Sequence, residues 1–334
     1  MAGSKWLLEP EMRNHEFAFN ALRARQQQAA QEGLVVCVPE IFRNFEHRGF
    51  YFLVMEFVPG KTLRQILKDD KDLGAGQVDH SMLFKHIAEG IRLLICVKAP
   101  PGSKPGPVGG GFIRHPFFRD LEAPTPYRDI EMMETHLNKI LKHRTRRSPK
   151  PTPTISLGTE LQFYYSDLCV ANFIFTTVAD HTVLYIIDFG EAGFLPPIFM
   201  DFVIQDSSTR PWSTTVADGI VKYFQPRDEK NLQVMGTACY FVLSSSWYFG
   251  EKDGGGKPGE LAPCVQRITS DSEIIQDLHT LKAAINLLGL DLREAEVLEA
   301  QEHPGKTDDN TNIPQPVSLL DTCLQQAEPT SSAS

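Results

Sequence analysis

The cysteines of this 334-residue sequence show neither pairing nor regular spacing. Six cysteines are scattered along the chain, and none belongs to a CxxC pair. A disulfide framework and a structural zinc site both depend on regularly spaced cysteines. The sequence therefore argues against both, and we interpret the thiols as reduced.

Long apolar runs are also missing from the sequence. No run reaches the length of about 18 residues that a membrane span requires. The N-terminus has no basic segment followed by an apolar one, which is the pattern of a secretory signal. We therefore expect a cytoplasmic protein without a membrane partner.

Basic residues are in deficit. The chain has 33 Lys and Arg against 42 Asp and Glu, a formal net charge of −9, and one short basic run at residues 139–150. Proteins that bind nucleic acids neutralise phosphates with clustered Lys and Arg. The composition therefore argues against a nucleic-acid partner. As a separate expectation, we predict that the protein is a monomer.

The periodicity of the apolar residues predicts a mixture of helices and strands. A helix over residues 9–31 precedes an antiparallel hairpin of strands 35–42 and 51–57, with a charged turn at 44–49. Three short apolar strands follow a Pro-rich connector at 145–159. Those strands cover residues 161–165, 173–176 and 183–187, and further helices are predicted at 62–71, 81–98, 130–143, 231–247 and 271–288. The apolar stripe of the first helix is Phe17, Ala18, Ala21 and Leu22, and the predicted buried face of the helix at 81–98 is Ile87, Ile91, Leu94 and Ile95.

Polar residues stand between the three short strands, and their spacing points to phosphoryl transfer. Asp167 is followed five residues later by Asn172, and Asp188 ends an apolar strand just before Phe189 and Gly190. Phosphoryl transfer needs a carboxylate that orients the attacking hydroxyl and oxygen ligands that hold Mg²⁺ on the phosphates. Asp and Asn are also common in ordinary turns, but three such residues at these spacings favour a site.

This D-x-x-x-x-N spacing followed by D-F-G resembles the catalytic and metal-binding loops of kinases. The residues from Asp188 to Pro197 are similar to the aminoglycoside phosphotransferase and choline kinase branch, especially to fungal members of unassigned substrate, and no A-P-E element follows. The resemblance implies a two-lobed α+β protein-kinase-like fold. It also implies that Asp167 is the catalytic base and that Asn172 and Asp188 bind Mg²⁺.

The segment at residues 51–63 resembles the linker between the lobes in the same family. The resemblance implies that Met55 is the gate residue and that the backbone of Glu56, Phe57 and Val58 faces the adenine of ATP. It further implies that Glu16, on the first helix, pairs with a lysine that contacts the phosphates. The candidate for that lysine is Lys5, eleven residues earlier.

The sequence departs from the family pattern at two places. The chain begins too late to include the glycine-rich strands, so we expect a truncated small lobe of one short antiparallel sheet and one helix, and a mainly helical large lobe. Tyr165 also stands where the family has a histidine. The expected domains are 1–60, 61–298 with an insertion around 100–159, and a disordered tail at 299–334.

These features predict an enzyme that uses ATP and Mg²⁺ to phosphorylate a hydroxyl group of a small molecule. The first alternative is an inactive kinase-like binding protein or a truncated gene product, which the incomplete phosphate clamp favours. A protein kinase is the second alternative, although the segment after Asp188 is short for that class. The acceptor substrate is not encoded in any motif that we can interpret.

Overall fold

The computed structural model describes residues 2–29, 35–72, 80–145, 151–178, 181–205 and 214–244. All of them belong to one compact unit of the chain, and a second unit, Gly259–Thr322, lies outside the described residues. The predicted helix at 271–288 and the predicted tail from 299 also fall outside them.

Helices and strands alternate through the described residues. The helices are α1 (Lys5–Ala29), α2 (Leu63–Asp72), α3 (Ser81–Ile95), α4 (Ile130–Thr145), α5 (Ile198–Gln205), α6 (Thr214–Ile220) and α7 (Glu229–Ser244). The strands are β1 (Ala2–Gly3), β2 (Val35–Cys37), β3 (Ile41–His47), β4 (Phe50–Met55), β5 (Lys61–Thr62), β6 (Gln162–Tyr165), β7 (Phe173–Val178), β8 (His181–Ile186) and β9 (Ala192–Leu195).

The predicted hairpin is present, but its first strand was placed too early in the sequence. Strands β3 and β4 pair antiparallel around the two-residue turn Arg48-Gly49, where both residues have positive φ. Such turns match the twist of paired strands. Residues 44–47 of the predicted charged turn are therefore strand, and Phe45 among them stacks on its cross-strand partner Phe52 at 5.0 Å.

Strand β2 belongs to a different sheet from that hairpin. It runs parallel to β8, and the sheet order is β2-β8-β7-β5. Pro39 separates β2 from β3 and cannot donate a ladder hydrogen bond. Val36 is buried in the main core. Because β2 and β3 belong to different sheets, the chain crosses from one sheet to the other between residues 37 and 41.

The three short strands that follow the connector are confirmed. Strands β7 and β8 form an antiparallel hairpin in continuous register from Phe173↔Ile186 to Val178↔His181. Strand β6 pairs antiparallel with β9. These two pairings place the loops after β6 and β8 at the same end of the β7–β8 hairpin.

One large apolar core joins the helices to these strands. The predicted buried face of α3 is confirmed, since Ile87, Ile91, Leu94 and Ile95 are all buried. A smaller cluster of Leu8, Tyr51 and Leu53 packs α1 on β4. No helix in the described ranges has both the length and the apolar character that a bilayer crossing demands.

The segment between α3 and α4 has little regular structure, but it is tied to its neighbours. Gly106 and Phe194 exchange backbone hydrogen bonds, which joins the segment to β9. Arg13 donates to the Val108 carbonyl at 2.7 Å, which joins it to α1. We call residues 98–125 the insertion segment, and these bonds hold it beside the loop that follows β8.

Candidate active site

Asp167, Asn172 and Asp188 all lie at one end of the β7–β8 hairpin. Asn172 directly precedes β7, and Asp188 follows β8 by two residues. The Ile187 amide donates to the Asn172 carbonyl at 3.1 Å, which continues the ladder beyond the last strand pair. The hairpin register therefore brings the predicted amide and the predicted second carboxylate to the same edge.

The side chains of Asp167 and Asn172 contact each other directly. The amide nitrogen of Asn172 donates to Asp167 Oδ2 at 3.0 Å and to the Asp167 carbonyl at 3.2 Å. Asn172 is buried, so these bonds restrict both side chains. Because the amide nitrogen is used on Asp167, the amide oxygen is the Asn172 atom suited to a cation.

Asp188 has an unusual backbone conformation. Its φ is 62°, in the left-handed region that costs most residues about 1–2 kcal/mol, although Asp tolerates it better than most. The Gly190 amide donates to Asp188 Oδ1 at 3.3 Å. Backbone strain of this kind persists where the surroundings enforce it, as they do at many functional sites.

Tyr165, at the position where a histidine was expected, holds the turn that carries Asp188. Its hydroxyl donates to the Ile187 carbonyl at 2.6 Å, and its ring packs edge-on against Phe189 at 5.2 Å. Burial raises the pKa of Tyr165 well above its usual range, and the carboxylates of Asp167 and Asp188 raise it further. The hydroxyl therefore stays protonated and acts as a donor.

Ser166 and Glu191 join the loop after β6 to the loop after β8. The backbone amide and the hydroxyl of Ser166 both donate to the Glu191 carbonyl at 3.0 Å. Both residues are buried. This connection keeps the Asp167 loop and the Asp188 loop at a constant separation.

Helix α1 is fixed to the Asp188 loop by Asn14, which the sequence analysis did not identify. The fully buried amide of Asn14 donates to the Phe189 carbonyl at 3.0 Å and to the Ala192 carbonyl at 2.8 Å. Its oxygen accepts from the Val108 amide at 2.8 Å. One side chain thus connects α1, the insertion segment and the loop after β8.

The predicted pair of Lys5 and Glu16 is not formed. Both residues lie in α1, and eleven helical residues separate them by about 16 Å along the axis. Lys5 instead forms an exposed ion pair with Glu46 at 3.6 Å, while Glu16 is exposed to solvent. The prediction placed Lys5 ahead of the helix, whereas the helix already begins at Lys5.

Glu11 is the carboxylate of α1 that approaches Asp188. It is buried, and a five-residue step turns Glu16 about 140° away from it around the helix. Burial and, to a smaller extent, the negative charge of Asp188 raise the pKa of Glu11, and Arg114 lowers it; the resulting pKa is about 7. The sequence already indicated that Glu11 is on the buried face of the helix. Glu11 lies seven residues before Ala18 and eleven before Leu22, on the predicted apolar stripe.

Arg114, from the insertion segment, reaches the same place. A Cβ atom built on Gly190 would lie 3.3 Å from Asp188 Oδ1, 3.5 Å from Arg114 Nη1 and 3.7 Å from Glu11 Oε2. Three charged side chains from distant parts of the chain thus surround one glycine. No local pattern in the sequence marks Arg114.

In the segment Met55 to Val58, predicted to face the adenine, Met55 is the last residue of β4, and residues 56–58 follow it without regular structure. The Glu56 amide donates to the Glu40 carbonyl at 2.8 Å, and the Glu56 carboxylate accepts from the Glu40 amide at 3.2 Å. The Phe57 side chain is 85% exposed. The role of these four residues in nucleotide binding stays a prediction.

The oxygen atoms of Asp188 and Asn172 fit the requirements of Mg²⁺. This ion prefers hard oxygen ligands and usually takes one or two from the protein and the rest from phosphates and water. In the described part of the chain, no three His, Cys, Asp or Glu side chains are grouped so that they could hold a metal ion by themselves. Asp188 and Asn172 would supply one carboxylate and one amide oxygen to a metal ion that arrives with a nucleotide.

Comparison with known proteins identifies one family. The chain matches the family model described as the phosphotransferase enzyme family, APH, over residues 11–233. Among solved structures, a GDP complex of a mutant aminoglycoside 2′-phosphotransferase-IIIa matches with 13% identity and a TM-score of 0.32, covering 68% of this chain and 71% of that one. At that TM-score the superposition alone establishes nothing further. No curated protein matches the chain.

Proposed function

Because the chain belongs to the phosphotransferase enzyme family, we propose that it transfers the terminal phosphoryl group of ATP to a hydroxyl group of a small molecule. The family match confirms the resemblance seen in the sequence, and the α+β content of the described residues agrees with the expected kinase-like fold. The observation that carries the proposal is the contact between Asp167 and Asn172, at the hairpin edge that also presents Asp188.

In the proposed reaction, a carboxylate oxygen of Asp167 accepts the proton of the acceptor hydroxyl. The hydroxyl oxygen then forms a bond to the terminal phosphorus of ATP, and the bond from that phosphorus to the bridging oxygen breaks, releasing ADP. The Asn172 amide orients the Asp167 carboxylate for this step. Positioning and charge stabilisation account for most of the catalysis in such reactions.

Asp188 and Asn172 would hold Mg²⁺, which neutralises negative charge on the phosphates when it is bound. Hydrogen bonds within the protein fix the orientation of both ligands. Tyr165 holds the carbonyl that precedes Asp188, and Asn14 holds the carbonyl that follows it. The metal ligands therefore need little rearrangement when the nucleotide binds.

Thermal unfolding of the full chain with ATP and Mg²⁺ tests the proposal. A ligand that binds only the folded state at about 100 times its Kd adds about 2.7 kcal/mol of stability. We expect ATP to raise Tm only when Mg²⁺ is present, and we expect Asp188→Ala to abolish this rise. Asp72→Ala, at an exposed position of α2, is the matched control and should keep it. An intact protein whose Tm does not respond to ATP and Mg²⁺ would contradict the proposal.

A nucleotide-binding protein without turnover is the second candidate. The separation of Lys5 from Glu16 favours it, because the predicted cation for the phosphates is not delivered by α1. The two candidates differ in one measurement, the release of ADP in the presence of hydroxylated small molecules. Binding of ATP without release of ADP for any acceptor would support the second candidate.

A further inference from the structure

The backbone around Arg114 is held rigidly. Arg114 and Glu122 form an antiparallel bridge, the His115 amide donates to the Leu121 carbonyl at 2.9 Å, and the Ala123 amide donates to the Ile113 carbonyl at 2.9 Å. Ile113 and His115, on either side of Arg114, are fully buried. Arg114 therefore projects from a fixed point, although it lies in a segment with little regular structure.

The same backbone is attached to the strand that leads into the Asp167 loop. The buried Tyr164 hydroxyl, on β6, donates to the Arg114 carbonyl at 3.0 Å. The His115 ring accepts from the Phe117 amide at 3.0 Å and, through its other nitrogen, contacts the Phe199 carbonyl at 3.2 Å. The base of the Arg114 side chain is thus positioned by the main core and by β6.

The guanidinium of Arg114 stands among carboxylates without forming a close ion pair in the described ranges. Its Nη1 atom lies with Asp188 Oδ1 and Glu11 Oε2 within 4 Å of a single point above Gly190. None of the ion pairs within 4 Å among the described residues includes Arg114. A half-buried cation beside a metal ligand, with its donors still available, is suited to a polyanion.

We propose that Arg114 binds the phosphate oxygens of the nucleotide whose metal ion is held by Asp188. This inference rests on the proposed function and adds a binding residue to it. A planar guanidinium can make two parallel hydrogen bonds to one phosphate group. The Glu11 carboxyl group lies in the same cluster beside Gly190 and is a further neighbour of the guanidinium.

Equilibrium binding of ATP and of AMP, both with Mg²⁺, tests the proposal on the full chain. Hydrogen bonds to a charged group contribute about 1.5–3 kcal/mol, so Arg114→Gln should weaken ATP binding by at least about tenfold. AMP lacks the outer phosphates, so its affinity should fall by less than about threefold. Arg119→Gln is the matched control, because Arg119 is an exposed arginine of the same segment.

Four outcomes are informative. A selective loss of ATP affinity supports the proposal, while equal affinity in Arg114→Gln and the intact protein overturns it. Equal losses for ATP and AMP also overturn it, since they indicate a structural role for Arg114. An intact protein that binds no ATP contradicts the proposed function itself and the inference with it, so the two failures are distinct.

Chemical modification of the unsubstituted protein repeats the test without relying on a folded variant. An arginine-selective dicarbonyl reagent, with sites mapped by mass spectrometry, should modify Arg114 more slowly when ATP and Mg²⁺ are bound. Arg119 should react at the same rate with and without the nucleotide. Unchanged modification of Arg114 in the presence of bound ATP would overturn the proposal.

Discussion

The loops at the end of the β7–β8 hairpin and the segment after β4 differ sharply in how they are held. At the hairpin, Tyr165, Ser166 and Asn172 are buried. Tyr165 and Ser166 donate hydrogen bonds to the loop after β8, and Asn172 donates one to Asp167 within its own loop. After β4, the Phe57 side chain is 85% exposed, and Phe42 on β3 is 63% exposed. The two regions carry the two halves of the proposed site, the base and metal half and the adenine half.

This difference has a physical cause. A buried polar group that loses its partner costs about 1–3 kcal/mol, so the buried bonds of the hairpin select one arrangement of Asp167 and Asp188. An exposed aromatic ring has no such penalty and contributes little to the choice of conformation. Buried hydrogen bonds therefore preorganise the base and metal half, whereas the segment proposed to face the adenine presents its aromatic ring to solvent. Four substitutions or conditions test this contrast.

The largest effect is expected for Asp167→Asn. General-base catalysis contributes about 10²- to 10⁴-fold in rate, so kcat for ADP release with an acceptor should fall by that factor. ATP affinity should change by less than about threefold, because the amide can still accept the hydrogen bond from Asn172.

Asp72→Asn serves as the control for this experiment and should leave both quantities unchanged. A parallel loss of ATP affinity and kcat in Asp167→Asn would show that Asp167 supports the fold of the site and does not act as the base.

The next largest effect is expected for Asn14→Ala. The substitution leaves the carbonyls of Phe189 and Ala192 and the amide of Val108 without their partner. We expect a loss of about 2–4 kcal/mol in the free energy of unfolding, measured with urea. Asn20→Ala, on the exposed face of the same helix, should change it by less than about 0.5 kcal/mol. Equal effects at the two positions would contradict the assigned role of Asn14.

A smaller effect is expected from pH at His15, which packs edge-on against Phe189 at 5.2 Å. Burial lowers the pKa of His15 below 6.5, and its contact with the Pro39 carbonyl opposes this only in part. The unfolded chain therefore takes up a proton at a higher pH than the folded protein. Stability from this group is complete above about pH 6.5, and it is lost as the pH falls from there through the lower pKa of the folded protein.

The variant His15→Gln isolates this contribution, because glutamine can still donate to the Pro39 carbonyl but does not titrate. Between pH 7 and pH 5, the unfolding free energy of His15→Gln should fall less than that of the intact protein. His181→Gln, at an exposed position of β8, is the control and should follow the intact protein. Identical pH profiles for the intact protein and His15→Gln would contradict the prediction.

The smallest change in stability is expected for Phe57→Ala. Because the ring is exposed, the unfolding free energy should change by no more than about 0.5 kcal/mol. Phe163→Ala, in the main core, should by comparison lose about 3–5 kcal/mol. A large loss of stability in Phe57→Ala would remove the contrast between the two halves of the site.

Much of the fold followed from local patterns. The three strands around the proposed site and the buried face of α3 were placed correctly, because their apolar periodicity extends over whole elements. The strand pairing near residues 35–47 was placed wrongly. Val35 to Cys37 reads as the start of a hairpin, but its partner is β8, about 150 residues later in the chain. No local pattern encodes a pairing over that distance.

The proposed site divides in the same way. Asp167 and Asn172 lie within one short loop, and their spacing alone allows the contact that is observed. The pair Lys5 and Glu16 was implied by the family resemblance, and it is not formed because both residues lie in one helix. Tertiary packing determines which residues of a helix face the core. In α1 this packing buries Glu11.

The amino-acid sequence was sufficient to identify the residues that surround the β7–β8 hairpin. At the end of a hairpin, residues that are a few positions apart in the sequence are also close in space. Asn14 and Arg114 became recognisable only in the folded chain, as did the approach of Glu11 to Asp188. They come from α1 and the insertion segment, and they meet at the Asp188 loop because buried hydrogen bonds and apolar packing hold those distant segments together. Such contacts depend on the whole core, and a reading of local spacing contains no information about them.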